Sequence, residues 1–66
     1  MNVVVNDINL CLPTGSSLQQ ALEARDIKPQ GIATAINGTV IPAAKRESTI
    51  LNEGDRIVII KAFYGG

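Results

Sequence analysis

Apolar residues alternate with polar or turn-forming residues at the start of the chain. Val3 and Val5 share one parity, and β-branched residues dominate residues 1–5, which is typical of a strand with one buried face. Asn6 and Asp7 then provide turn chemistry, because both side chains can bond to their own backbone and tolerate a positive φ. Residues 8–12 return to apolar character. The pattern predicts a β-hairpin with strands over residues 1–5 and 8–12.

After residue 15 the apolar positions change from a period of two to a helical spacing. Ser17 is a candidate helix N-cap, and Gln20 follows it at the spacing of a capping box. Pro29 disfavours helical geometry in the residue before it. We therefore predict one helix that begins after Ser17 and ends at residues 26–28. Its apolar residues form one narrow stripe, namely Leu18, Ala21 and Leu22.

The second half of the chain contains shorter apolar runs separated by strong turn signals. Residues 32–36 are predicted to form a strand, and Asn37-Gly38 is the strongest signal for a two-residue type I′ hairpin turn. One helix can cover only one face of the resulting sheet, so the element order predicts an α+β fold of two layers. The remaining predicted segments are a short strand over 40–41, a surface loop or single helical turn over 43–48, a bridge over 49–51, a turn over 52–55 and a last strand over 56–63.

The last predicted strand is apolar at both parities. A strand with one solvent-exposed face should alternate between apolar and polar residues. Here, four consecutive residues are all apolar, namely Ile57, Val58, Ile59 and Ile60. Either the same chain covers Val58 and Ile60, or these side chains form an exposed apolar patch. Because few residues remain to cover them, we favour the patch, and exposed contiguous apolar surface is typical of a partner site.

Composition and charge restrict the class of function. The 66 residues are enough for a single domain, which we expect to span residues 1–66. Six Lys and Arg balance six Asp and Glu, so neither nucleic acid nor a membrane is an expected partner. No membrane-length apolar run or signal peptide is visible in the sequence. The single cysteine excludes an internal disulfide. The cytosol is therefore the expected compartment. Without any histidine, we expect neither an enzyme nor a metal site.

Residues 62–66 are expected to form an extended, flexible C-terminal tail. Gly65 and Gly66 carry no side chain, which lets the backbone pass close to the backbone of another protein. We expect the α-carboxylate of Gly66 to be the reactive group and Gly65 to allow its passage into a partner's pocket. Phe63 and Tyr64 are candidate docking residues, and aromatic side chains that fold back on the domain are the alternative.

Other polar side chains have simpler interpretations. Cys11 lies between two leucines in a strand, with no basic cluster near it in sequence to activate the thiol, so we interpret it as an incidental small residue. Asp55 and Arg56 are interpreted as polar turn residues. The charges expected to be solvated are Lys45, Arg46 and Lys61.

A series of short motifs runs along the whole chain, namely an Asn near the first turn, Leu12-Pro13-Thr14-Gly15, Ala35-Ile36-Asn37-Gly38, Ile41-Pro42, Gly54-Asp55-Arg56-Ile57 and Gly65-Gly66. Together these motifs resemble the sulfur carrier family of thiamine biosynthesis. Each motif alone is weak, but their order and spacing across the whole chain are specific. The resemblance implies the ubiquitin-like β-grasp fold, a mixed sheet of four to five strands with one main helix packed across one face, which agrees with the predicted element order.

The resemblance also implies a chemistry and a set of partners. An adenylating, E1-like enzyme would use Mg-ATP to convert the carboxylate of Gly66 into an acyl-adenylate. Sulfur from a donor such as a cysteine desulfurase would displace AMP and leave a thiocarboxylate, so that Gly66 becomes 1-thioglycine. Thiazole synthase would then take this sulfur into the thiazole ring. The chain itself would bind no cofactor.

Three other interpretations stay open at the level of sequence. The small subunit of molybdopterin synthase resembles this chain in fold and tail, although those proteins tend to be longer. A ubiquitin-like modifier would use the same activated carboxylate of Gly66 to join lysines of target proteins. A β-grasp interaction module without tail chemistry belongs to a different class, and the zero net charge, the few aromatic residues and the Gly-Gly ending count against it.

Overall fold

The computed structural model describes residues 1–28 and 30–61, and for Lys61 it describes the backbone alone. None of the helices in this part of the chain is long and apolar enough to cross a membrane. The described elements are, in chain order, β1 (Asn2–Val5), β2 (Ile8–Cys11), α1 (Leu18–Ala24), β3 (Ile32–Ile36), β4 (Thr39–Ile41), a 3₁₀ turn (Ala43–Lys45) and β5 (Arg56–Lys61).

The strands form one mixed sheet in the order β2-β1-β5-β3-β4. The two predicted hairpins, β1–β2 and β3–β4, are both antiparallel. β5 lies between them, parallel to β1 with Val5 opposite Ile57, and antiparallel to β3 with Thr34 opposite Ile59. β5, the last strand of the described residues, is therefore the central strand that joins the two hairpins, and the predicted α+β fold with one main helix is confirmed.

Both hairpin turns have the backbone geometry that their sequences predict. Asn6 and Asp7 have φ values of 47° and 67°, and Asn37 and Gly38 have φ values of 50° and 86°. Two consecutive positive φ values are the requirement of a type I′ turn. A Cβ atom added at Gly38 would meet nothing within 4 Å, so the positive φ, and not a lack of space, is what favours glycine there.

The predicted capping box begins helix α1. The Oγ of Ser17 accepts a hydrogen bond from the backbone N–H of Gln20 at 3.2 Å, and the Oε1 of Gln20 accepts one from the backbone N–H of Ser17 at 2.8 Å. These reciprocal bonds satisfy two of the N–H groups that a helix start leaves without helical partners.

The end of α1 differs from the prediction. The last helical residue is Ala24, not one of residues 26–28. Asp26 takes a left-handed conformation with φ 56°, its N–H donates to the carbonyl of Glu23 at 3.0 Å, and the N–H of Ile27 donates to the carbonyl of Leu22 at 2.9 Å. This bonding is a Schellman motif, which ends the helix before Pro29 can influence it. Pro29 itself lies outside the described residues.

One face of the sheet packs against α1 to form the core. The apolar stripe of the helix is fully buried, as predicted, and so are Val3 and Val5 of β1. In β5, burial alternates, with Ile57 and Ile59 facing the helix. The core cluster consists of Val3, Val5, Leu12, Leu18, Ala21, Leu22, Leu51, Ile57 and Ile59.

The expectation that Arg46 is solvated is wrong. Its side chain is only 3% exposed. The Nε group donates to the Oγ1 of Thr34 at 3.2 Å, and Nη2 donates to the carbonyl of Ile32 at 2.9 Å. The guanidinium can be buried because its fixed fork of N–H donors reaches acceptors on β3, while its methylene stem adds apolar contact area. Lys45 is exposed as expected, and the side chain of Lys61 lies outside the description.

The turn over residues 52–55 is also present, and it is more closely bound to the fold than its composition suggests. Asp55 is only 9% exposed. Its Oδ2 accepts a hydrogen bond from the backbone N–H of Asn52 at 2.8 Å, and its Oδ1 accepts one from Nδ2 of Asn37 at 3.0 Å. Asp55 is thus a turn residue, as predicted, and it also links this turn to the β3–β4 hairpin.

Candidate functional site

The face of the sheet opposite the helix carries a group of apolar side chains. Val58 and Ile60 point to this face because Ile57 and Ile59, at the other parity, lie in the core. Residues directly opposite each other on paired strands share a face, so the register adds three more members. We call the group the open-face patch; it consists of Ala33, Ala35, Val40, Val58 and Ile60.

The large members of the open-face patch are accessible. Val58 is 47% exposed, Ile60 is 60% exposed and Val40 is 70% exposed. Val58 and Ile60 are thus exposed, as the predicted apolar patch requires, and their role in docking a partner stays a prediction. Ala33 and Ala35 are small and lie on β3, between β5 and β4, so the patch has the shape of a shallow trough with β3 as its floor.

A pair of opposite charges borders the open-face patch where β5 begins. The Nη2 of Arg56 lies 3.3 Å from the Oδ1 of Asp7, and these side chains are 69% and 89% exposed. A shallow hollow of about 230 Å³ separates the turn at Asp7 from Val58. Ion pairs this exposed contribute little to stability, so both charges can exchange their partner for one on another protein.

β5 leads from the patch directly to the predicted reactive tail. Lys61, its last described residue, is opposite Ile32 of β3. The predicted roles of Gly65, Gly66, Phe63 and Tyr64 fall outside the described residues and stay predictions. At about 3.3–3.6 Å per residue, residues 62–66 can extend at most ~17 Å beyond Lys61.

Asn6, predicted as a turn residue, also makes side-chain contacts at this site that the sequence does not predict. Its Oδ1 accepts a hydrogen bond from the N–H of Ile59 at 2.8 Å, and its Nδ2 donates to the carbonyl of the same residue at 3.2 Å. The two residues are 53 positions apart in the chain. The sequence signal was present in the form of an Asn at a turn, but the target of its side chain depends on β1 and β5 being neighbours.

Two other candidate features lie away from the patch. Cys11 is exposed and sits opposite Asn2, on strand β2 at the far edge of the sheet. Nothing brings it next to β5, which agrees with its interpretation as an incidental residue. Within residues 1–28 and 30–61, no three His, Cys, Asp or Glu side chains are grouped so that they could hold a metal ion.

Comparison with known proteins identifies the family. The ThiS family model matches residues 2–66, which is nearly the whole chain. The chain belongs to the ThiS family. The resemblance of its short motifs is thereby confirmed.

Individual ThiS proteins match over the same length. The sulfur carrier protein ThiS of Escherichia coli (strain K12) is 29% identical over 66 residues, which cover 100% of both chains. The crystal structure of thiamine biosynthesis protein ThiS from Geobacter metallireducens superimposes with a TM-score of 0.81 at 22% identity, covering 100% of this chain and 99% of that one. A solution structure of a thiamine biosynthesis protein from the same organism gives a TM-score of 0.73 at 20% identity, with 100% and 88% covered. These structures share the ubiquitin-like β-grasp fold with the present chain.

Proposed function

We propose that this protein is a sulfur carrier of thiamine biosynthesis that holds its sulfur as a thiocarboxylate at Gly66. The observation that carries the proposal is the match to the ThiS family over residues 2–66. The full-length match to a protein named as a sulfur carrier supports it. Under this proposal the chain is a substrate that its partner enzymes modify and recycle, and it catalyses no step itself.

The chemistry follows from the properties of a terminal carboxylate. Its pKa is about 3.3–3.7, so it is ionised at neutral pH and is a poor electrophile. An E1-like adenylating enzyme, using Mg-ATP, joins a carboxylate oxygen of Gly66 to the α-phosphorus, and pyrophosphate leaves. Sulfide then attacks the carbonyl carbon. Where a cysteine desulfurase supplies the sulfur as a persulfide, a thiol must first release it as sulfide, and that thiol leaves in a disulfide. The new C–S bond replaces the C–O bond to phosphate, and AMP leaves.

The described part of the molecule suits the role of a handle for this tail. The open-face patch adjoins the strand that leads to residues 62–66, so a partner that covers Val58 and Ile60 lies close to the start of the tail. We propose that the adenylating enzyme and thiazole synthase both dock on this patch, one after the other. Phe63 and Tyr64 would extend the apolar contact, and Gly65 would leave room for the backbone to enter the partner's active site.

An intact-mass measurement tests the proposal. The protein is incubated with Mg-ATP, an adenylating enzyme and sulfide, and the mass of the whole chain is recorded. We expect one oxygen atom to be replaced by one sulfur atom, and fragmentation should place the change at Gly66. A variant that lacks Gly66 is the control, and it should stay unmodified.

The result that contradicts the proposal is an unmodified chain under conditions in which a known ThiS carrier is converted in parallel. Adding thiazole synthase and its small-molecule substrates extends the test to the pathway. Formation of thiazole from the thiocarboxylate form, and not from the carboxylate form, is the expected outcome.

A further inference from the structure

Asn6 lies where strand β1 leaves the sheet. Its backbone N–H donates to the carbonyl of Ile57 at 3.0 Å, which is one regular step of the parallel ladder between β1 and β5. Its φ of 47° then directs the main chain into the hairpin turn. In an uninterrupted parallel ladder the carbonyl of this residue would accept the next N–H on the partner strand, that of Ile59.

The side chain of Asn6 takes over the bonds that the departing main chain gives up. Its Oδ1 accepts from the N–H of Ile59 at 2.8 Å, and its Nδ2 donates to the carbonyl of Ile59 at 3.2 Å. A carboxamide has the same donor and acceptor as a peptide group, so the side chain acts as one more peptide unit of β1. β5 is therefore held on its β1 side beyond the point where the main chain of β1 turns away.

This contact lies close to the tail. Ile59 is two residues before Lys61, and on the other edge β3 pairs with β5 as far as Lys61. The end of β5 is thus held from both sides, by Ile32 on one edge and by Asn6 on the other. Because residue 62 is bonded to Lys61, whatever holds the end of β5 also holds the point at which the tail is attached.

We propose that Asn6 is a positioning residue for activation of the C-terminus, because it fixes the direction in which β5 delivers the tail to the adenylating enzyme. This inference rests on the proposed sulfur-carrier function. A tail that leaves the domain in one direction seats in the partner's active site more often than one that leaves in many. Losing the contact should therefore weaken productive binding and leave the chemistry of the seated tail unchanged.

The chain offers a matched control in Asn37. It also sits at a hairpin turn with a positive φ, 50° against 47° for Asn6. Its side chain also makes two hydrogen bonds, accepting from the N–H of Arg56 at 3.0 Å and donating to Oδ1 of Asp55 at 3.0 Å. The difference is position, since Asn37 holds the start of β5 and Asn6 holds its end.

The test compares Asn6→Gly with Asn37→Gly. Glycine accepts the positive φ at both positions, so each change removes the side-chain bonds without adding backbone strain. We expect Asn6→Gly to raise the KM for the carrier in the adenylation reaction by about fivefold and to leave kcat within about twofold. Asn37→Gly should leave both constants within about twofold. Amide hydrogen exchange should accelerate at Ile59 in the first variant and at Arg56 in the second.

Asn6→Asp provides a second variant that keeps the acceptor for the Ile59 N–H and loses the donor to its carbonyl. Its KM should lie between those of the wild type and Asn6→Gly. An equal rise of KM in the Asn6 and Asn37 glycine variants, or an unchanged KM in Asn6→Gly despite faster exchange at Ile59, overturns the positioning role. If the wild-type chain is not adenylated at all, the proposed function fails and the positioning role fails with it. If the wild type is adenylated and Asn6→Gly has the same KM, only the positioning role is refuted.

Discussion

Arg46 shows how a charged side chain becomes part of the core in a domain of this size. A 66-residue chain has few apolar side chains for its core, and the buried methylene stem of Arg46 adds apolar contact area. Its guanidinium donates to the hydroxyl of Thr34, which is itself only 1% exposed, and to the backbone of Ile32. Because Thr34 is buried, its hydroxyl oxygen depends on the donor that Arg46 supplies.

We predict that Arg46→Met lowers the free energy of unfolding by about 2 kcal/mol. Methionine keeps an unbranched stem but removes the donors to the buried Thr34 hydroxyl and to the carbonyl of Ile32. Lys45→Met is the control, since Lys45 is exposed and adjacent in sequence, and it should change stability by less than about 0.5 kcal/mol. Urea unfolding measures both effects, and losses of equal size would show that the burial of Arg46 has no energetic role.

The wrong expectation that Arg46 is solvated shows that local sequence does not reveal contacts with distant strands. Turn geometry at Asn6 and Asn37 was predictable, because positive φ is a property of a few neighbouring residues. The burial of Arg46 and the bonds of Asn6 to Ile59 were not predictable in this way. They depend on which distant strand lies nearby, and no periodicity within a short window encodes that.

The sequence predicts the start of helix α1 correctly but not its end. Its start follows from the Ser17–Gln20 capping box, a local pattern that the structure reproduces bond for bond. Its end is set by the left-handed conformation of Asp26, and aspartate is a much weaker signal for that conformation than glycine. Pro29 was the more visible breaker in the sequence, so the predicted end was too late.

We predict that Asp26→Gly raises the free energy of unfolding by about 0.5 kcal/mol and that Asp26→Ala lowers it by about 1 kcal/mol. Glycine occupies the left-handed region without strain, and aspartate tolerates that region better than alanine does. Ala24→Gly, inside the same helix, serves as the control and should lower stability by about 0.5–1 kcal/mol. Thermal and urea unfolding check the signs, and a destabilising Asp26→Gly would contradict the role given to the Schellman motif.

At the scale of the whole molecule, one face of the sheet forms the core and the other face is exposed. The face with Val3, Val5, Ile57 and Ile59 is closed by the helix, and the other face leaves the open-face patch accessible. The unbroken apolar run in β5 was the sequence signal for this patch. The contributions of Ala33, Ala35 and Val40 became visible only through the strand register.

We predict that Ile60→Lys lowers kcat/KM for adenylation by at least about tenfold, because it places a charge in the surface that a partner must cover. Ile50→Lys is the matched control. Ile50 is the same residue type with similar exposure, 54% against 60%, but it lies beside the helix, opposite Ser17. Both variants should unfold within about 1 kcal/mol of the wild type. Equal losses of kcat/KM would remove the open-face patch from the proposed docking surface.

The central place of β5 has a consequence for how the protein is made. A ribosome synthesises both hairpins and the helix before it reaches residues 56–61, yet the sheet is joined only through that strand. Two-stranded hairpins are marginal by themselves, so a nascent or truncated chain that stops before β5 has no complete sheet and is open to proteases. The sheet can therefore be completed only after β5, the strand that leads to the tail, has been synthesised. Every fully folded chain then contains the strand from which sulfur would be presented.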